Sequence, residues 1–133
     1  MRLVLGVALS CAALMTACSP DLGAVTVPPP GAVAELDNDE ETVELTRGIA
    51  LGFECTFQGA PCAAAAAEID DPNIASVFPA YVDLLSRDHG NGALPTGKPR
   101  AVFVIVGGKA GSTTLQISSD DGDLAFSVTV VDP

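Results

Sequence analysis

The segment from 100 to 133, RAVFVIVGGKAGSTTLQISSDDGDLAFSVTVVDP, decides the fold. Residues 101–106 form an unbroken apolar run of strand length, rich in β-branched and aromatic side chains. Residues 113–118 and 124–131 alternate. Leu115 and Ile117 share one face of the first, and Leu124, Phe126, Val128 and Val130 share one face of the second. Asp120-Asp121-Gly122-Asp123 between them reads as a hairpin turn, because Asp and Gly tolerate the positive φ angles of such turns. Three consecutive strands with short links predict an all-β domain.

The pattern extends toward the N-terminus. Residues 49–57 have the clearest period of two, with Ile49, Leu51, Phe53, Cys55 and Phe57 facing one way and Gly52, Glu54 and Thr56 the other. Residues 42–46 alternate as well, and Arg47-Gly48 ends that strand. Residues 32–36 add a short strand. Five alanines at 63–67 are too few to hold an isolated helix, so 63–69 reads as a strand or an irregular crossing. Asp70-Asp71-Pro72-Asn73 is a turn and 74–78 a short strand. Residues 80–87 read as a helical turn or a further strand. Residues 88–99, DHGNGALPTGKP, read as a long loop rich in glycine and proline.

The first 17 residues stand apart. Met1-Arg2, the apolar run 3–14 and the small residues before Cys18 have the anatomy of a secretory leader. The junction LMTAC resembles the lipobox of bacterial lipoproteins, with Met15 in place of the usual aliphatic residue. The resemblance implies lipid on Cys18. Ser19 after it, rather than Asp, implies an outer-membrane address in a Gram-negative cell. Residues 19–31, SPDLGAVTVPPPG, read as a polyproline-stiffened tether. The expected organisation is a signal peptide over 1–17, a lipid-anchored tether over 18–40 and one β-domain over 41–133.

Loss of Arg2 with the leader makes the formal charge of −11 one unit more negative. Such a field repels phosphate backbones, which argues against nucleic-acid binding. Of the 4 cysteines, Cys55 and Cys62 remain in the domain, and an exported setting predicts a disulfide between them. Two thiolates and His89 match no zinc-ligand spacing. The acidic run Asp37-Asn38-Asp39-Glu40-Glu41 resembles the start of a calcium loop. Thr42 stands where that loop needs glycine and Gly48 where it needs glutamate, so the run reads as a solvated edge. Ser86, Asp88 and His89 are too close in sequence for a catalytic triad, whose members come from separate rigid elements. No catalytic set is expected, and no cofactor.

With the strands laid out, four pieces resemble the group 2 bacterial immunoglobulin-like domain repeated in intimin and invasin adhesins. Residues 42–48 (TVELTRG) are similar to its opening strand and turn, and 49–57 to its second strand. Residues 70–77 (DDPNIASV) resemble its S-D-P-x-x-A-x-V segment, and 109–117 (KAGSTTLQI) its K-x-G-x-T-x-I segment. With the last strand the likeness covers 41–131. The tryptophan that often opens the family's third strand is absent, and 80–99 reads as an insertion. The resemblance implies an immunoglobulin-like antiparallel β-sandwich of about seven strands, a platform without a shared active site.

The expected function is therefore a lipid-anchored interaction or scaffold module of the cell envelope that binds a protein partner. The alternative is an accessory domain for calcium or glycan. The absence of tryptophan and a single tyrosine leave little for sugar stacking. The candidate contact residues are Tyr81, Arg87, His89, Lys98 and Arg100, which gather cations on an acidic background around the 80–99 insertion.

Overall fold

The computed structural model describes residues 18–88 and 92–133, and over 83–98 its backbone alone. The alternating C-terminal segments are strands, β9 (Gly111–Ser118) and β10 (Leu124–Val131). Leu115, Ile117, Phe126, Val128 and Val130 are all buried. Eight further strands precede them. They are β1 (Asp21–Ala24), β2 (Ala34–Asp37), β3 (Thr42–Thr46), β4 (Ala50–Phe57), β5 (Ala60–Pro61), β6 (Ala66–Ile69), β7 (Ala75–Asp88) and β8 (Gly92–Gly107).

These strands form two sheets. One runs β1-β4-β8-β7, with β5 also on β4, and the other runs β2-β3-β10-β9-β6. Their facing sides supply one core. Leu51, Phe53, Cys55, Phe103 and Ile105 come from the first sheet, and Val43, Leu45, Leu115, Phe126 and Val128 from the second. The fold is a β-sandwich, as the alternation of β4, β9 and β10 predicts. It has ten strands among the described residues rather than about seven. It is also not wholly antiparallel, since β10 lies parallel to β3 with Val128 opposite Val43.

Two expectations are corrected. Residues 19–31 do not form a free spacer. Within them β1 pairs antiparallel with β4, setting Leu22 opposite Cys55, and Leu22 is only 2% exposed. The cause is non-local. Leu22 N–H donates to Asn38 Oδ1 at 2.9 Å, and Asn38 Nδ2 donates back to Leu22 O. One side chain of the β2–β3 turn thus satisfies both backbone groups that a neighbouring strand would otherwise take. Further along, Val25 N–H donates to Gly52 O and Gly52 N–H to Thr26 Oγ1, at 2.8 Å each. The chain lies over Gly52 so closely that a Cβ there would stand 2.9 Å from Thr26 Cγ2.

Nor are Asp88 and 92–99 a loop, while 80–87 take the strand of the two readings given them and 89–91 lie outside the described residues. The strand residues belong to the long hairpin β7–β8, which pairs from Ala75↔Gly107 out to Asp88↔Gly92. Proline within β7 is explained by the ladder. Gly107 donates N–H to Ile49 O and accepts Gly48 N–H, so its backbone groups face β4. Alternation then turns those of Val102 and Val104 toward β7, opposite Ala80 and Phe78. Pro79 lies between these pairs and faces the free edge, where a missing N–H costs no ladder bond. It also blunts that edge against pairing with another chain.

Candidate functional site

The β7–β8 hairpin reaches beyond its own sheet. β8 pairs with β4 only from Glu54↔Val102 to Ala50↔Val106, whereas its pairing with β7 continues to Gly92. Where β8 leaves, β5 takes its place on β4, at Thr56↔Pro61 and Phe57↔Ala60. Over 84–88 and 92–99 the hairpin is therefore a two-stranded ribbon with no further strand alongside. A shift of register between Asp83 and Leu85, whose partners are Pro99 and Pro95, leaves 96–98 without opposite residues.

The candidate contact residues distribute over this ribbon and its base. Tyr81, opposite Ala101, is 76% exposed. Arg100 pairs in register with Val82 and so lies on the other face of the sheet from Tyr81. Its Nε donates to Glu54 Oε2 at 2.8 Å, and Nη2 donates to the same oxygen. Both side chains of this ion pair are about three-quarters covered, at 30% and 24% exposure. Arg100 is thus neutralised by a residue of β4 and holds the ribbon base to the sandwich. Arg87 and Lys98 lie on the ribbon backbone, and His89 lies outside the described residues. Tyr81 and Arg100 thus point to opposite sides of the sheet, and Arg100 already has its carboxylate. Sequence reasoning missed Glu54, which lies 46 positions from Arg100, and period-two alternation marks it only as outward-facing.

The cysteines separate into two kinds. Cys55 and Cys62 form a disulfide with Cα atoms 5.4 Å apart, both buried. A two-residue turn makes the pairing possible. Gln58 at φ 50° and Gly59 at φ 80° both lie in the left-handed region that such hairpins require, and Cys62 N–H donates to Cys55 O. Cys18 is a free, exposed thiol. Two residues later Pro20 is buried, and it packs over Gly122, where a Cβ would stand 3.1 Å from its ring.

The carboxylates of the acidic turns organise backbone. Asp37 Oδ1 accepts the N–H groups of Asp39 and Glu40, at 2.9 and 3.0 Å. Asp121 Oδ2 accepts Ala63 N–H at 2.8 Å, and Asp71 Oδ1 accepts Asn73 N–H at 2.9 Å. Among the described residues no three acidic, histidine or cysteine side chains converge as a metal site. A shallow cleft of ≈ 330 Å³ opens between the edge strands β6 and β7, lined by Ala67, Ile69, Pro72, Val77 and Phe78 among others.

Fold and site together define a disulfide-bonded β-sandwich domain with a projecting ribbon. Among solved structures, domains 4 and 5 of the S-layer protein SbsC are similar at 20% identity and TM-score 0.45, over 75% of this chain and 53% of that one. A longer SbsC structure, rSbsC(31-844), gives 21% identity and TM-score 0.48, over 75% of this chain and 13% of that one. Domains 5-6 give 19% and 0.44, over 75% and 45%. This chain thus spans about half or less of each of these chains. No protein-family model matches the chain, and no curated protein matches it in sequence.

Proposed function

We propose that the chain is an exported, lipid-anchored interaction module of the cell envelope, an immunoglobulin-like β-sandwich that holds a protein partner through its β7–β8 ribbon. The observation that carries this reading is the ribbon itself. Its root supplies Ala75, Phe103 and Ile105 to the core, but over 84–88 and 92–98 it runs on beyond the last β4–β8 pair. There it offers a projecting surface on a rigid support, the usual arrangement for recognition. The leader-like sequence, the free Cys18 at its end and the internal disulfide support export and anchoring. Ser19 after the cysteine favours the outer membrane where the cell has two.

The test removes the ribbon and keeps the sandwich. Val82 and Arg100 face each other as a hydrogen-bonded pair, so replacing 83–99 by Asn-Gly closes the hairpin early. The shortened protein is expected to unfold at nearly the same temperature and to incorporate labelled fatty acid at Cys18 as the parent does, while losing the protein that co-purifies with the parent in mild detergent. A shortened protein that still holds that partner would overturn the ribbon as the contact. Equal fatty-acid labelling of the parent and of Cys18→Ala would overturn the anchor.

A further inference from the structure

We infer that the outward face of the β1-β4-β8-β7 sheet is a docking surface for a second copy of this chain, packed on it face to face across a two-fold axis. This goes beyond the ribbon reading and uses neither the far part of the ribbon nor the anchor.

The apolar run of β8 is the first sign. Residues 101–106, AVFVIV, are apolar without a break, and such a run belongs to a strand covered on both faces rather than one. The core between the sheets takes Phe103 and Ile105. Val102, Val104 and Val106 point the other way, level with Ala80, Phe78 and Ser76 of β7. Val102 is buried on this side although it takes no part in that core. Phe78 is 56% exposed, and Val104, Val106 and Ala80 are half-buried. Val25, whose side chain lies over Gly52 of β4, is 43% exposed and continues the apolar surface. The outward face of the other sheet has the opposite character, with Glu35, Glu44, Glu68 and Gln116 exposed on it.

Shape, charge and one ion pair select the occupant. A pleated face is matched by another pleated face, packed at about 10 Å with side chains interdigitated. Across β4, β8 and the root of β7, the charged side chains on this face are Glu54 and Arg100, which neutralise each other. Two copies joined here stack four sheets with the acidic ones outermost, about 30 Å apart, more than three Debye lengths at physiological salt. An approach through the other sheet would set Glu35, Glu44 and Glu68 against themselves. The ion pair is also self-complementary. Arg100 gives both Nε and Nη2 to one oxygen, Oε2 of Glu54. Oε1 and Nη1 take no part in that pairing. A two-fold mate turns its Oε1 toward this Nη1 and its Nη1 toward this Oε1, closing a ring of alternating charges. Three strands over seven residues measure about 15 by 24 Å, roughly 350 Å² of plane on each copy, the low end for a specific interface, so the dimer is dissociable.

Sedimentation equilibrium of the oxidised mature chain tests this, with Cys18→Ser so that no intermolecular disulfide imitates a dimer. A reversible monomer–dimer equilibrium is expected between micromolar and millimolar concentration. Phe78→Lys and Val104→Lys each place a charge in the face and should weaken association more than about tenfold. Gln116→Lys, exposed on the other sheet, should leave it unchanged. Exchanging the charges, Glu54→Arg with Arg100→Glu, covers the case in which a lysine variant unfolds. The exchanged chain should pair with itself and reject the parent, since mixing sets arginine against arginine. A parent monomeric throughout, a dimer indifferent to both lysines, or an exchanged chain that pairs equally well with the parent would overturn the proposal. So would a parent that stays monomeric while an envelope protein covers Phe78, which would assign the face to that protein. The protein with 83–99 replaced by Asn-Gly separates this from the ribbon reading. It should lose the ribbon's partner and still dimerise; loss of the dimer would move the self-contact to the ribbon and overturn the face.

Discussion

Replacing Leu22 by alanine separates a free tether from a built-in strand more sharply than any other single change. As part of a spacer, Leu22 would be a solvated residue whose truncation alters stability by about 0.5 kcal/mol or less. In the structure it is 2% exposed, opposite Cys55 and within the shared core. Leucine-to-alanine changes in cores cost about 2–5 kcal/mol, according to how far the site collapses. β1 has four residues and lies at a sheet edge, where the backbone can relax, so the low part of that range applies, about 2–3 kcal/mol. For a domain of this size that is a fall in Tm of about 10 °C. The assay is thermal and urea unfolding of the oxidised mature chain by circular dichroism, with Val27→Ala as control. Val27 is 91% exposed and its truncation should leave the midpoint unchanged. The urea slope should stay constant in both, since neither change alters the surface exposed on unfolding. A Leu22→Ala protein as stable as the Val27→Ala control would refute the assignment of β1.

Two further outcomes follow from the same geometry. Reducing the Cys55–Cys62 bond, whose partners are seven positions apart, should lower stability by about 2–3 kcal/mol; coincident urea curves with and without reductant would show that the short loop contributes nothing. Gly52→Val should destabilise by about 1–3 kcal/mol despite the better strand propensity of valine, because its Cβ meets Thr26 and Val25 within 3.1 Å; a stabilised variant by calorimetry would show that the chain does not cross there.

What was legible in the sequence was what local pattern determines. The alternation of 49–57 and 124–131 is imposed by one buried face: Leu51, Phe53, Cys55, Phe126, Val128 and Val130 are buried, and Ile49, Phe57 and Leu124 are half-buried against them. The misread stretches are those where a distant residue overrides local chemistry. Residues 19–31 contain three consecutive prolines and a lone Leu22, with nothing in the window to show that Asn38 and Cys55 enclose it. The alanines at 63–67 are not among them: they favour helix by propensity, but the segment reads as a strand or irregular crossing, and β9 supplies a ladder for 66 and 67. Residues 79–99 hold prolines that break a central strand. Pro79 faces a free edge, and Pro99 lies beyond the last β4–β8 pair, so neither interrupts a ladder. Of the candidate contact residues, sequence marked a cluster of cations, but which of them is neutralised depends on Glu54, placed by the register of β4 on β8.

The features that local reading missed converge on one place. Leu22 faces Cys55, and Cys55 is bonded to Cys62, so the first strand lies against the covalently closed corner of β4 and β5. The Asn38 clamp, the Pro20–Gly122 contact and the Arg100–Glu54 pair stand at the same end. A force applied through an anchor at Cys18 would pull along β1 against the β4 ladder, shearing its hydrogen bonds together rather than peeling them singly, with the disulfide preventing β4 and β5 from parting. A domain that needed only attachment would do as well with a flexible spacer and a solvent-exposed residue 22. Burial of Leu22 fixes the direction in which the chain leaves the sandwich toward Cys18. The fold, rather than a tether, then determines how the ribbon is presented.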